Sequence, residues 1–182
     1  SNTGKNLHVY SFGVDGKMKH VPIDILPDSG FCQAAINSTN TLLVMASTYS
    51  KGMYIYKIME DDNPAGDRLE YFDKVTTYGT NFHNMVFSKA DPNFLIVKSY
   101  TLNKIVFLLW NEEIEQFEKL PDITTHALNT NGTVYDWSLS RSGRFLCIPE
   151  PATGLFIYEQ ESDYSYTLLQ SVPLNHLNNN NN

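Results

Sequence analysis

Acidic side chains are gathered in three short segments of this 182-residue chain, spaced about 50 residues apart. Carboxylates grouped on one surface attract basic segments and speed their association at low salt. Solvated turn tips are the simpler interpretation of the same pattern. We therefore predict an acidic rim, either solvated or open to a basic partner segment, formed by Glu60, Asp61, Asp62, Glu112, Glu113, Glu115, Glu161 and Asp163.

A second group of side chains combines tyrosine, lysine and histidine in the segments between the acidic ones. Exposed aromatic side chains around a concave end are typical of contact surfaces. Ordinary loop residues and half-buried tyrosines give the same pattern, so both interpretations stay open. The predicted partner-binding residues of this second surface, called the opposite face, are Tyr49, Lys51, Tyr78, His83, Tyr100 and Tyr135.

Residues that bind metals or act as nucleophiles show no recognisable spacing. The five histidines are scattered, and the two cysteines form no metal-binding pair. For a metal held by separate segments, His83 and Asp136 are the only residues that we would name. Nucleophile motifs, a phosphate-binding glycine loop and a paired-carboxylate signature are missing from the sequence. The sequence therefore predicts no catalytic residue, no resident metal and no cofactor.

The composition narrows the class of protein. A net charge of −7 argues against a nucleic-acid surface, which needs clustered lysine and arginine. No apolar run is long enough to span a membrane, and the first residues contain no apolar signal core. We expect an intracellular protein, cytoplasmic or nuclear, whose partners are other proteins.

The elements that must position these residues are short β-strands in a repeating order. Residues 132–172 contain four segments rich in aromatic or β-branched residues, separated by turn formers. Their predicted bounds are Val134–Leu139, Arg144–Pro149, Gly154–Glu159 and Ser165–Val172. Four such strands with tight connections form an antiparallel sheet, which must stack against other sheets to bury its faces.

Copies of this unit occupy most of the chain. Residues 30–76 and 81–124 repeat the four-strand pattern, with a period of about 50 residues that is typical of propeller blades. Residues 7–25 form a hairpin around Asp15-Gly16 and correspond to the outer half of a blade. The acidic segment Asn111–Leu120 falls between a third and a fourth strand, so we predict a hairpin tip rather than a helix. Residues 173–182 end in five asparagines, and we predict a disordered tail.

The blade sequence resembles a known family. The run from Val134 to Leu146, followed by Gly154 to Tyr158, resembles a WD40-like β-propeller blade. Asn84 to Ser88, with Phe94 to Val97 and Ile105 to Trp110, is similar to the same blade. The resemblance implies an all-β propeller that presents loops to other proteins.

A weaker similarity points to a different function. The run from His8 to Met18 is similar to hairpins of lactonase-type propellers, which include sugar-lactone hydrolases and fungal muconate cyclases. We keep a lactonase-like enzyme as the alternative function.

Residues 1–172 are thus predicted to form three four-stranded blades plus an N-terminal outer hairpin. Propellers close with about four to eight blades, so this is a partial propeller. The rest of a longer chain, or a partner, would supply the other blades. We expect a non-catalytic interaction scaffold in a larger eukaryotic assembly.

Overall fold

The computed structural model describes residues 9–12, 15–21, 31–47, 52–59, 68–78, 82–99, 102, 104–123, 137–150 and 154–173. Every regular element in these ranges is a β-strand. Within them, no helix is long and apolar enough to cross a lipid bilayer. The strands are β1 (Val9–Phe12), β2 (Met18–Val21), β3 (Phe31–Ile36), β4 (Leu42–Ser47), β5 (Gly52–Met59), β6 (Arg68–Val75), β7 (Phe82–Phe87), β8 (Phe94–Ser99), β9 (Lys104–Asn111), β10 (Gln116–Lys119), β11 (Ser138–Leu139), β12 (Phe145–Glu150), β13 (Gly154–Gln160) and β14 (Tyr166–Pro173).

The strands form one hairpin and three four-stranded sheets. β1 pairs with β2, and the sheets contain β3–β6, β7–β10 and β11–β14, each in chain order and fully antiparallel. We call them the first, second and third sheets. In such a sheet the turns after the first and third strands lie at one end, and the turn after the second strand lies at the other.

The sheets stack face to face, and side chains of alternating residues serve the two interfaces. In β4, Leu42, Val44 and Ala46 pack against the second sheet. Leu43 and Met45 point the other way and share a cluster with Val21 of the hairpin. The second sheet is therefore in contact with the first, and the hairpin covers the first sheet's other face.

The interface between the second and third sheets is built in the same way. Phe94 and Ile96 of β8 share a cluster with Trp137, Leu146 and Ile148. All six residues of β8 are buried, because both faces of the second sheet are covered. Each fully buried large apolar side chain stabilises the fold by roughly 1.5–3 kcal/mol. The prediction of a partial propeller, with sheets stacked as successive blades, is confirmed.

Strand ends differ from prediction in a few places. β7 begins at Phe82, two residues before the blade-like run that starts at Asn84. β10 ends at Lys119, and Pro121 lacks the N–H that a longer strand would donate. The segment between β9 and β10 is the predicted hairpin tip, since residues 112–115 form a turn and not a helix. The predicted strand Val134–Leu139 is described only from residue 137 onward, and the tail 174–182 lies outside the described residues.

Candidate functional site

The first strands of successive sheets bring amide side chains to the inner edge of the stack. β3 and β7 lie side by side, and each carries an irregularity at the equivalent place, between Phe31 and Gln33 and between His83 and Met85. These bulges turn the local backbone away from regular pairing, a feature often found next to functional sites.

Hydrogen bonds join these inner strands from sheet to sheet. The Gln33 Oε1 atom accepts from the backbone N–H of Met85 at 2.6 Å. The Nδ2 atom of Asn84 donates to the carbonyl oxygen of Trp137 at 3.4 Å. Asn84 adopts a left-handed backbone conformation with φ of 51°, which asparagine tolerates better than most residues. Gln33 and Asn84 are only half-buried. The inner edge therefore carries partly exposed amide side chains on a backbone that is fixed by the bulges.

The sequence analysis did not predict a buried lysine near the same region. Lys98 lies next to the end of β8 and is only 3% exposed. Its backbone is in register with His83 on β7 and with Ile105 on β9. Buried charged groups are rare unless they are paired. The signal in the sequence was a single lysine closing the otherwise apolar run from Phe94 to Val97.

The predicted opposite face is described at two of its six residues. The hydroxyl of Tyr78 donates to the carbonyl oxygen of Phe117 at 2.6 Å, and the half-buried ring packs against the core between the first two sheets. Tyr78 therefore joins the linker after β6 to the outer strand of the next sheet. His83 lies in β7, but its side chain is not described. The predicted residues outside the described ranges are Tyr49, Lys51, Tyr100 and Tyr135, and partner binding by this face stays a prediction.

The predicted acidic rim is described in two of its three turns. Glu112, Glu113 and Glu115 lie in the β9–β10 turn, and Glu161 and Asp163 lie in the β13–β14 turn; all five are exposed. The two turns occupy equivalent places in the second and third sheets. Glu60, Asp61 and Asp62 lie outside the described residues.

Most of these carboxylates make contacts within the protein. Glu115 pairs with the Lys57 ammonium at 2.5 Å, and Glu112 accepts from the Asn93 amide at 3.0 Å. Glu161 accepts from the Thr167 hydroxyl at 2.8 Å.

Asp163 is bonded within its own turn. It accepts from both the hydroxyl and the backbone N–H of Ser165. These bonds, with the hydroxyl contributing most, hold the pKa of Asp163 below its usual value.

Two of the turn residues reach back to the preceding sheet. Glu115 and Tyr164 both have left-handed backbones, with φ of 52° and 65°. Glu115 contacts Lys57 of the first sheet, and the Tyr164 hydroxyl donates to the Asp91 carboxylate of the second sheet. Because the Asp91 carboxylate accepts this bond, it favours the protonated hydroxyl and raises the pKa of Tyr164. The rim therefore holds neighbouring sheets together, whatever else it binds.

A groove of about 330 Å³ opens between the first and second sheets at the acidic end. Its polar wall contains Lys57, whose ammonium nitrogen lies 4.2 Å from the centre of the Phe72 ring. Its lining residues are Thr41, Leu42, Lys57, Ile58, Met59, Asn93, Trp110, Glu112 and Glu115. With two carboxylates and one ammonium, the groove does not favour an anionic ligand.

Metal-binding geometry does not appear in the part of the chain that the structure describes. No three His, Cys, Asp or Glu side chains come together there in a way that could hold a metal ion. Asp136 lies outside the described residues, as does the side chain of His83, so a metal held by this pair stays a prediction.

Comparison with solved structures identifies propellers of similar fold. A protein of Bacteroides uniformis, provisionally named a 6-phosphogluconolactonase, matches 94% of this chain with a TM-score of 0.66 and 14% identity. A second protein of that provisional name, from Bacteroides fragilis, matches 90% with a TM-score of 0.59 and 12% identity. The periplasmic gluconolactonase PpgL of Pseudomonas aeruginosa matches 87% with a TM-score of 0.56 and 16% identity.

The matched region is only part of each of these proteins. The chain spans 52% of the Bacteroides uniformis protein and 43% of each of the other two. No family model matches the sequence, and no curated protein sequence matches it. At these identities the likeness shows the propeller fold.

These neighbours correct the functional expectation drawn from the sequence. That expectation ranked a non-catalytic scaffold above a lactonase-like enzyme, because no catalytic motif was found. Three solved propellers that match most of the chain bear lactonase names, which contradicts both the scaffold and the expectation that the protein is not an enzyme. The error has a physical origin, since propeller sites are assembled from separate blades and leave no contiguous motif.

Proposed function

We propose that this chain forms part of a lactonase-type propeller enzyme that hydrolyses a sugar lactone. The observation that carries the proposal is the match of 87–94% of the chain to three propellers with lactonase names. A fold hosts many functions, so the proposal also needs groups suited to the reaction.

Lactone hydrolysis sets clear chemical requirements. A water oxygen adds to the ring carbonyl carbon, the bond from that carbon to the ring oxygen breaks, and a hydroxy acid forms. The water gives up a proton, the ring oxygen takes one up, and the product acid ionises. A site therefore needs a donor for the developing oxyanion and a group that moves protons.

The inner edge of the stack offers a donor of the required kind. An asparagine amide carries two N–H groups and one carbonyl oxygen, and Asn84 is held by the bulge in β7 and by its contact with Trp137. We assign Asn84 the role of binding the lactone carbonyl. The proton-transfer group has no assigned residue.

We further propose that substrate enters at the end of the sheets opposite the acidic rim. The product of the reaction is an anion, and the lactone named for the Bacteroides proteins carries a phosphate. The exposed carboxylates of the β9–β10 and β13–β14 turns would repel both.

The test is a lactonase assay on the intact natural polypeptide that contains this chain. Acid release from glucono-1,5-lactone and from its 6-phosphate is followed by pH-stat against the spontaneous rate. We expect saturable hydrolysis of at least one lactone. Rates equal to the spontaneous reaction for both lactones would overturn the proposed function.

A matched pair of substitutions tests the role of Asn84. Asn84→Gly keeps the left-handed backbone but removes the amide, and we expect kcat/KM to fall by about 10-fold or more. Asn40→Gly makes the same change at a second left-handed asparagine, in the exposed β3–β4 turn, and should leave kcat/KM unchanged. Equal effects of the two substitutions would remove Asn84 from the site.

As a separate proposal, the sequence pattern of the blades is WD40-like. Its support is Trp110 near the end of β9, where the WD40 pattern has its tryptophan. This ring is 6% exposed and packs edge-on against Phe72 and Phe117. This tryptophan therefore packs between sheets, and its packing does not bear on the activity.

A further inference from the structure

One face of the third sheet is not covered by any neighbouring sheet among the described residues. In β12, Leu146 and Ile148 are fully buried against the second sheet. Phe145 and Cys147, which alternate with them, are only half-buried, and Pro149 is exposed. In β13, Leu155 and Ile157 show the same partial exposure. We call the surface formed by Phe145, Cys147, Pro149, Leu155 and Ile157 the open face.

The second sheet shows what a covered blade looks like. All six residues of β8 are buried, whereas burial in β12 alternates from one residue to the next. The two strands occupy the same place in successive repeats and have similar apolar content. The difference therefore reflects the missing neighbour and not a more polar sequence.

We propose that the open face is covered by a further four-stranded sheet of the same repeat, supplied by the same natural polypeptide. The hairpin, the first sheet and the second sheet are each packed against the next sheet through alternating apolar residues. A fourth sheet would continue this series of interfaces. A contiguous apolar surface of this kind marks an interaction site in a soluble protein.

The size of the matched propellers supports the choice of occupant. The chain spans only 43–52% of the three lactonase structures, so about half of each of them or more lies beyond the matched region. The hairpin, which is the first layer of the stack, is also uncovered on the face that points away from the first sheet. On this face Tyr10 and Met18 are 50% and 64% exposed. Further sheets placed between these two ends would cover both.

Polar groups at the edge of the open face resemble those of an existing interface. Arg144 pairs with Glu159, with its Nε atom donating to Oε1 at 2.7 Å. The guanidinium carbon of Arg144 lies 5.3 Å from the centre of the Phe145 ring. Between the first and second sheets, Lys57 lies over Phe72 and pairs with Glu115 at the same end of the stack. The open face thus offers the cation and aromatic ring that the covered interface uses.

The test uses Cys147 as a probe of coverage, because its free thiol lies on the open face. Alkylation of Cys147 is measured by peptide mapping in the intact natural polypeptide, native and denatured. A covering sheet predicts alkylation at least about 100-fold slower in the native state, since the thiol reacts only after local opening. In the 182-residue chain the native rate should lie within about 10-fold of the denatured rate.

The outcomes separate the possible occupants. Protection that appears in the 182-residue chain and grows with its concentration, together with a dimer mass, would mean that a second copy covers the face and would overturn the proposal. Similar, fast alkylation in the two proteins would also overturn it. Because alkylation does not depend on lactone hydrolysis, failure of this inference is distinguishable from failure of the proposed function.

A pair of substitutions gives a second measurement that does not use the thiol. Ile157→Asp places a charge in the centre of the open face, and Ser162→Asp places one at an exposed site in the β13–β14 turn. We expect Ile157→Asp to lower the unfolding midpoint of the intact polypeptide well below that of the Ser162→Asp variant. Equal midpoints for the two variants would contradict coverage of the face.

Discussion

Two tyrosines illustrate how single side chains respond to the stacking of sheets. Tyr56 of β5 is buried beneath the hairpin, and Tyr166 of β14 is buried between the second and third sheets. The hydroxyl of Tyr166 donates to the carbonyl oxygen of Gly143 at 2.8 Å. Burial disfavours the charged phenolate, so it raises the pKa of both side chains well above the usual value near 10.

These raised pKa values predict a loss of stability in alkali. Above about pH 10 the unfolded chain releases its tyrosine protons while the folded protein retains those of Tyr56 and Tyr166. The stabilisation is therefore complete below pH 10 and is lost as the pH rises further. We expect the free energy of unfolding to fall by about 1.4 kcal/mol per pH unit for each tyrosine, measured by urea denaturation between pH 9 and pH 11.5.

Tyr166→Phe is the control for this prediction. It removes one titrating group, so the slope with pH should become shallower by about 1.4 kcal/mol per unit. It also removes the hydrogen bond to Gly143, which costs about 1 kcal/mol at neutral pH. An unchanged slope in the variant would show that Tyr166 does not titrate differently in the folded and unfolded states.

Residue roles were predictable from the sequence only where they follow from position in the repeat. The acidic composition of the β9–β10 and β13–β14 turns was predicted, but the pairing of Glu115 with Lys57 was not, because these residues belong to different repeats. The same limit applies to Tyr164 and Asp91. Contacts between sheets depend on the angle at which they stack, and no local pattern contains that angle.

At the scale of elements, the third strands start with a glycine in two of the three sheets. Gly154 opens β13 with φ of 140°, and Gly52 opens β5 with φ of 152°. Each lies against the outer strand of its sheet. A side chain at Gly52 would meet the Val75 carbonyl oxygen at 2.7 Å, and one at Gly154 would collide with the Val172 carbonyl oxygen. Both glycines therefore permit a close approach of two backbones.

Gly154→Ala should destabilise the protein by about 2–4 kcal/mol, because the added methyl group meets backbone atoms and the φ angle is nearly restricted to glycine. The matched change is Gly16→Ala in the hairpin turn, where φ is 73° and the space beside the glycine is open. This control should cost only about 1–2 kcal/mol from backbone strain. Chemical denaturation of the two variants measures the difference, and equal costs would contradict a close approach of β13 and β14.

Strands and turns were predictable because their signals are local. Alternation of apolar residues and clusters of turn formers placed β12, β13 and β14 within one residue of their observed ends. The bulges near Gln33 and Asn84 were missed, since an extra residue in one strand shows only when its partner is aligned with it. These missed irregularities are the feature that fixes Asn84 in the proposed site.

At the scale of the whole molecule, the period of the repeat predicted the stacking of sheets but not the function. A sheet with two apolar faces has few ways to bury both, so the pattern alone indicated a propeller. The lactonase alternative came from a weak similarity in the hairpin, and the absence of motifs counted against it. In a fold that gathers single residues from separate blades, that absence carries little weight.

Stacking also predicts how stability is distributed along the array. Arrays in which each unit contacts only its neighbours open most easily at their ends. The second sheet is covered on both faces, whereas the third is covered on one. We therefore expect backbone amides of Leu95 to Val97 in β8 to exchange at least about 10-fold more slowly than those of Leu146 to Ile148 in β12, a difference of about 1.4 kcal/mol in opening free energy.

Hydrogen exchange followed by mass spectrometry of the 182-residue chain measures this gradient. The comparison is best matched at Leu95 and Ile96 of β8 and at Leu146 and Cys147 of β12, because these residues hold the same places in successive sheets and each pairs with strands on two sides. Equal exchange in the two strands would mean that the second and third sheets open together. The interface at Trp137 and Tyr166 would then give both sheets the same opening free energy. In the intact natural polypeptide, a sheet seated on the open face should slow exchange in β12 to the rate of β8, because the third sheet would then be covered on both faces as the second is.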